Sequence, residues 1–202
     1  MSAPPKHRYS LAEYVKREET ADYKSQFYQG EIFAMTGGTP NHNRITVNSL
    51  VSISIQLDGS GCRPFNSDQR IRIPANDLLT YPDISVVCGE LELDDQDPIA
   101  INNPLVIVEV LSKSTERYDR GKKFDLYREL PSLREYLLIS QETPHIERFV
   151  RQNDGTWNLA VFKGLDAELD LQSVNVKLTL AAVYNDVTFP PEEEATGTEA
   201  SA

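Results

Sequence analysis

Apolar residues along this chain gather in short runs, and the spacing within the runs changes from strand-like to helix-like and back. The densest run, Leu105 to Leu111 (LVIVEVL), is apolar throughout except at Glu109, and at this length it predicts a strand buried on both faces. Upstream, the Pro82-Asp83 pair opens a β-rich run from Ile84 to Cys88, so Asp83 falls at the mouth of a second strand. Arg134 to Ser140 predicts a further buried strand. Before it lies a basic segment that Ser114 or Thr115 can cap and Pro131 stops, which predicts a helix to about Leu130.

The flanking regions carry weaker signals. Ser10 and Glu13 form a capping-box pattern, which starts a short helix that runs to about Glu19. Tyr23 to Met35 places aromatic and β-branched residues around Gln29-Gly30, the pattern of a hairpin. Gly37-Gly38-Thr39-Pro40 is a turn into a helix, with Thr39 as N-cap and Pro40 at the first helical position. The next segment, Asn41 to Leu57, is locally ambiguous, because Val51, Ile53, Ile55 and Leu57 alternate as a strand would. Arg63 to Pro74 reads as a strand with Asp68, Arg70 and Arg72 on one face, and Ala75 to Thr80 as a loop. Glu90 to Asn103 reads as a surface loop whose charges serve solvation. Ile146 to Gln152 and Trp157 to Lys163 flank Asn153-Asp154-Gly155, a second hairpin signal, and Leu169 to Val174 and Val176 to Leu180 add short extended pieces. Trp157 and Tyr184 read as packing or interface residues, packing first. This order predicts an α/β domain with a mixed sheet over residues 10–189, after a flexible segment 1–9 and before an acidic, disordered tail 190–202.

Composition changes this picture mainly through charge. The 202 residues are 40% hydrophobic, enough for a real core, and the formal net charge is −11. Removing the four glutamates of the tail brings it only from −11 to −7, so the overall field opposes nucleic acid and any such contact needs a local cation. Cys62 and Cys88 have no metal-ligand spacing, and with no apolar stretch of membrane length they suggest a reduced, cytoplasmic, soluble protein with no membrane partner.

The chemistry centres on Glu109. A carboxylate inside a buried strand is costly to desolvate unless it meets a cation. If its strand neighbours that of Asp83, the two acids converge on one hard cation, with water in the remaining positions as Mg²⁺ requires. Leu111 shares the face of Glu109, so no lysine comes from that strand. On the next helix Asp119, Lys123 and Tyr127 stand at i, i+4 and i+8 and share a face, with Lys122 turned about 100° away. Lys123 is the preferred ammonium, with Lys122 and Lys113 as fallbacks. His42, in the first turn of its helix, either faces the metal centre or caps the surface; Arg70 and Arg72 either contact phosphate or pair with nearby acids.

The segments GEIFAMTGGTPNHN, FNSDQRIRIP, YPDISVVCG, LVIVEVLSKST, YDRGKKFDLYRELPSLREYLLISQ and GTWNLAVFKGLD, in that order between about Arg8 and Phe189, resemble the Uma-two family of restriction-endonuclease-like proteins, a branch of the PD-(D/E)XK nuclease superfamily. The resemblance implies a restriction-endonuclease-like α/β core, a central mixed β-sheet flanked by helices with additional β-hairpins, and it favours a helix for Asn41 to Leu57. It implies metal ligands at Asp83 and Glu109, a catalytic lysine at Lys123, and Glu31 as an early acid that either joins the metal site or stays a solvated strand-edge glutamate. The family's usual Ser-Pro-Ser-Thr is here Ser112-Lys113-Ser114-Thr115, which keeps Lys113 in contention. The expected activity is a Mg²⁺- or Mn²⁺-dependent endonuclease acting on nucleic acid, DNA ahead of RNA, in a homo-oligomer with a dimer first. The alternative is a non-catalytic oligomeric or regulatory module in which Glu109 and Lys123 form a buried ion pair.

Overall fold

A computed structural model describes residues 7–189; the expectations for residues 1–6 and for the tail 190–202 lie outside the described residues. In chain order the elements are α1 (Leu11–Glu18), β1 (Ser25–Tyr28), β2 (Glu31–Ala34), α2 (Pro40–Leu57), β3 (Cys62–Asn66), β4 (Ile71–Ile73), β5 (Leu78–Thr80), β6 (Ile84–Cys88) and β7 (Val106–Leu111). Beyond β7 come α3 (Glu116–Tyr118), a π-helical turn (Asp119–Lys123), α4 (Phe124–Tyr127), β8 (Glu135–Ser140), β9 (His145–Arg151), β10 (Trp157–Lys163), β11 (Glu168–Leu171), β12 (Val176–Thr179) and α5 (Leu180–Val183).

Six strands form a mixed sheet in the order β10-β9-β8-β7-β6-β3. Its neighbours are antiparallel except β7 and β8, which run parallel and so need the helical crossover between them. Because β7 is central, alternate residues serve opposite cores. Val106, Val108 and Val110 pack with Ile45, Ile53 and Leu57 of α2, whereas Ile107 and Leu111 pack with Phe124, Tyr127 and Tyr136. Glu109 shares the second face, beneath the crossover helix, which is why a carboxylate there can meet a helical side chain.

The helical reading of α2 holds, with Thr39 accepting a hydrogen bond from the His42 amide and Pro40 leading the first turn. Ile45, Ser49, Ile53 and Leu57 are buried at a spacing of one helical turn while Val51 and Ile55 are exposed, so the strand-like alternation was two faces of one helix. The capping box of α1 and both hairpins also form. Trp157 packs edge-on against Phe124 at 5.3 Å, and the Tyr184 hydroxyl donates to the Ser140 and His145 carbonyls.

Other expectations fail for tertiary reasons. Arg63 to Pro74 is not one strand: a turn separates β3, at the edge of the six-stranded sheet, from β4, at the edge of a second sheet ordered β2-β1-β5-β4. The supposed loop Ala75 to Thr80 contains β5, an inner strand of that second sheet. The acidic stretch 90–103 does more than stay solvated, since Asp97 is buried and Ile101 bridges to Ile71 of β4. Cys62 and Cys88 face each other across β3 and β6 and are joined by a disulfide, which overturns the expectation of reduced thiols. Among the described residues no helix is long and apolar enough to cross a membrane.

Candidate active site

β6 and β7 are antiparallel neighbours with Ile84 opposite Val108, so the residues just beyond, Asp83 and Glu109, meet at the same end of the sheet. Asp83 Oδ2 accepts a hydrogen bond from the Val110 amide at 2.7 Å and lies 3.3 Å from His42 Nε2. Glu109 is 4% exposed; its Oε1 accepts from the Tyr127 hydroxyl at 2.8 Å and stands 2.7 Å from Lys123 Nζ. Lys123, also buried, lies 3.4 Å from Asp119 Oδ1. The three helical residues that sequence spacing placed on one face are therefore those that surround Glu109.

The π turn is the local device that presents them. A π turn inserts one residue into a helix and widens it, a cost commonly met at functional sites. Here both of its ends, Asp119 and Lys123, are buried, and the Asp119 carbonyl accepts a hydrogen bond from the Tyr136 hydroxyl of β8. Phe124, the next residue, stacks on Tyr136 with ring centroids 5.1 Å apart. The crossover is thus pinned to the sheet on either side of Lys123.

Burial and neighbouring charges pull against each other in the cluster. Burial raises the Glu109 carboxyl, to about 8, against the opposing pull of Lys123 and with help from Asp83 and Asp119. Burial alone would lower the Lys123 ammonium, but Glu109 and Asp119 overcome it and raise it, so the lysine stays charged. His42 behaves alike: burial disfavours its charged form, Asp83 favours it, and the net shift is upward. Its Nδ1 is buried without a hydrogen-bond partner. A Cβ on Gly38 would fall 2.5 Å from that nitrogen, so the glycine gives the turn clearance over the imidazole rather than cradling an anion.

Asp83, Glu109, Asp119, Lys123 and His42 line one cavity of about 470 Å³. Lys122 is at its rim, with Nζ 5.3 Å from the Tyr28 ring centroid. The other candidates stand elsewhere. Lys113 has an 83% exposed side chain 3.6 Å from Glu142, and Glu31 sits half-buried at the start of β2, outside the lining. Arg70 and Arg72 are buried and engaged, Arg70 by Asp97 and Tyr81, Arg72 by Asp77 and the Leu78 carbonyl, so neither presents its guanidinium to a phosphate. Helical spacing alone singles out Asp119 and Tyr127; Gln26 of β1 and Tyr118 of α3, hydrogen-bonded to each other at 2.7 Å in the cavity lining, carry no such signal.

The donor set suits a hard divalent cation. Two carboxylates from the β6 and β7 end of the sheet share the cavity, the hydrogen bonds to Glu109 fall on Oε1, and Glu109 and Asp119 both contact one ammonium. Among the described residues no group of three or more His, Cys, Asp or Glu side chains makes a protein-only cage.

Known proteins resemble this chain. The chain is 37% identical over 167 residues to an uncharacterized protein of Synechocystis sp., covering 83% of this chain and 94% of that one. A second uncharacterized Synechocystis protein is 36% identical over 185 residues, covering 92% and 96%. A crystal structure described as a putative nuclease belonging to DUF820, from Anabaena variabilis, superposes with a TM-score of 0.71 at 18% identity, covering 87% of this chain and 97% of that one. The fold is therefore that of the nuclease-like α/β class, with its central mixed sheet and flanking helices. The model of the family described as "Uma2: Putative restriction endonuclease" matches residues 11–182, and the chain belongs to that family.

Proposed function

We propose that the chain hydrolyses phosphodiester bonds of nucleic acid, DNA ahead of RNA, with Asp83 and Glu109 holding Mg²⁺ or Mn²⁺. The observation that carries this reading is that two carboxylates opposed on β6 and β7 open into one cavity with a buried lysine 2.7 Å from Glu109. A divalent ion bound there supplies charge for the phosphate and a more acidic water. The protein's own groups do the rest. His42 steadies Asp83 and Tyr127 steadies Glu109, which fixes the carboxylate oxygens before substrate arrives. Lys123, kept protonated by Glu109 and Asp119, acts as a fixed positive charge beside the attacked phosphate rather than as a base. The proposed assembly is a homodimer.

A second reading has an observation of its own. The 2.7 Å contact between Lys123 and Glu109 satisfies both groups without a metal, as a purely structural ion pair in a regulatory module would. Calorimetry separates the two: Mn²⁺ binds the native chain and not Asp83→Ala or Glu109→Ala if the site is a metal centre. Plasmid and single-stranded DNA cut by the native chain and left whole by Lys123→Met support hydrolysis. Absence of metal binding sinks it in favour of the ion pair.

A further inference from the structure

We infer that the part of this cavity lined by the β1–β2 hairpin is a nucleobase-stacking surface, so that the substrate is single-stranded: an unpaired base lies against Phe33 while its phosphodiester faces the acids. This deepens, and rests on, the reading of the site as a phosphodiesterase centre. The wall is the β1–β2 hairpin. Gln26 pairs with Phe33 and Tyr28 with Glu31, so strand alternation puts Gln26, Tyr28, Glu31 and Phe33 on one face and Phe27 and Ile32 on the other; of the first face, Gln26, Tyr28 and Phe33 line the cavity. The second face accounts for folding: Phe27 is 1% exposed and packs, with Ile32, in the core formed with Leu11 and Tyr14. Phe33 is 46% exposed, packs in none of the hydrophobic cores, and lines the cavity. An aromatic ring left open on the wall of a site offers a flat apolar face, and every nucleobase has a complementary one.

Charge argues for the same substrate. Duplex binding draws most of its affinity from many lysine and arginine contacts along two phosphate backbones. The cavity offers few cations, Lys122 and Lys123 with His42 beside Asp83, against Asp83, Glu109 and Asp119, in a chain of net charge −11. Arg70 and Arg72 are engaged by Asp97 and Asp77. Stacking does not depend on that field, and Lys122, beside the Tyr28 ring, gives the wall one cation for the adjoining phosphate. A cavity of about 470 Å³ has room for a single splayed nucleotide.

Fluorescence anisotropy tests this with the full chain, in EDTA and at one fixed salt concentration. The probes are labelled oligo(dT), an abasic strand of equal length, a duplex of equal length and oligo(U). Oligo(dT) and oligo(U) bind about 10- to 100-fold more tightly than the abasic strand, the expected value of one stacked base. Phe33→Ala removes most of that difference. Phe33→Leu, which keeps the apolar contact but not the aromatic face, does the same, and Phe33→Trp retains it. Equal affinity for oligo(dT) and the abasic strand, or tighter binding of the duplex, overturns the inference. A separate cleavage assay with Mg²⁺ and Mn²⁺ keeps the two readings apart. Base preference without cleavage supports the wall and removes the nuclease; cleavage of duplex without base preference removes the wall and leaves the nuclease.

Discussion

Two buried clusters in this molecule use the same side-chain types to opposite ends. Around β4, Arg70 stands 2.9 Å from Asp97 and Arg72 lies 2.7 Å from Asp77 and 3.9 Å from Asp94, so each guanidinium is held by at least one acid and neither faces the cavity. Around β7, Lys123 lies between Glu109 and Asp119, His42 pairs with Asp83, and the cluster opens into a cavity. The first ties the 90–103 loop to the edge of the second sheet. The second keeps Glu109 at a desolvation cost that raises its carboxyl to about 8. Buried charge is thus not by itself a sign of function; a strongly perturbed carboxyl that faces a cavity is a better candidate for one.

Mutations can break this contrast. The largest loss of stability is expected at the β4 cluster: Asp97→Ala leaves Arg70 buried without its acid and costs about 3–5 kcal/mol in denaturant unfolding, with metal binding in the surviving folded fraction unchanged. Lys123→Met is expected to lower kcat by about 10²- to 10³-fold in a cleavage assay, the usual loss when one fixed charge is removed from a reacting centre. His42→Ala, which releases Asp83 without removing a ligand, lowers metal affinity by about 10- to 100-fold in calorimetry. Glu109→Gln sharpens the comparison most: Lys123 keeps Asp119, so unfolding free energy changes by less than about 1.5 kcal/mol, whereas Mn²⁺ binding disappears. A loss as large as that of Asp97→Ala would mean that the two clusters are the same kind of structure.

The central strands and the site were legible where local chemistry admits one outcome. A seven-residue apolar run holding one acid predicts both a buried strand and a partner for that acid, and the i, i+4 spacing picked Lys123 over Lys122. The fate of Arg70 and Arg72 was not legible. Alternating Arg and Ile looks alike in a long strand and in a short one beyond a turn, and which acids take the guanidinium groups is set by the turn that brings Asp77 to Arg72 and by the later loop that docks Asp97 on Arg70. β5 has three residues, too few for a periodic signal. The disulfide depended on sheet register, which brings Cys62 opposite Cys88 and cannot be read from a spacing of 26. The aromatic wall was read only as a hairpin, because nothing local says which face of β1 and β2 would meet α1 and which the cavity.

The most direct test is a crystal structure of the native chain soaked in Mn²⁺, read by anomalous scattering. A single strong peak is expected between the Asp83 and Glu109 carboxylates, with about 2.0–2.2 Å to an oxygen of each, as for a small divalent ion on carboxylates. A peak elsewhere on the chain, or none with Lys123 still seated on Glu109, would refute the metal centre.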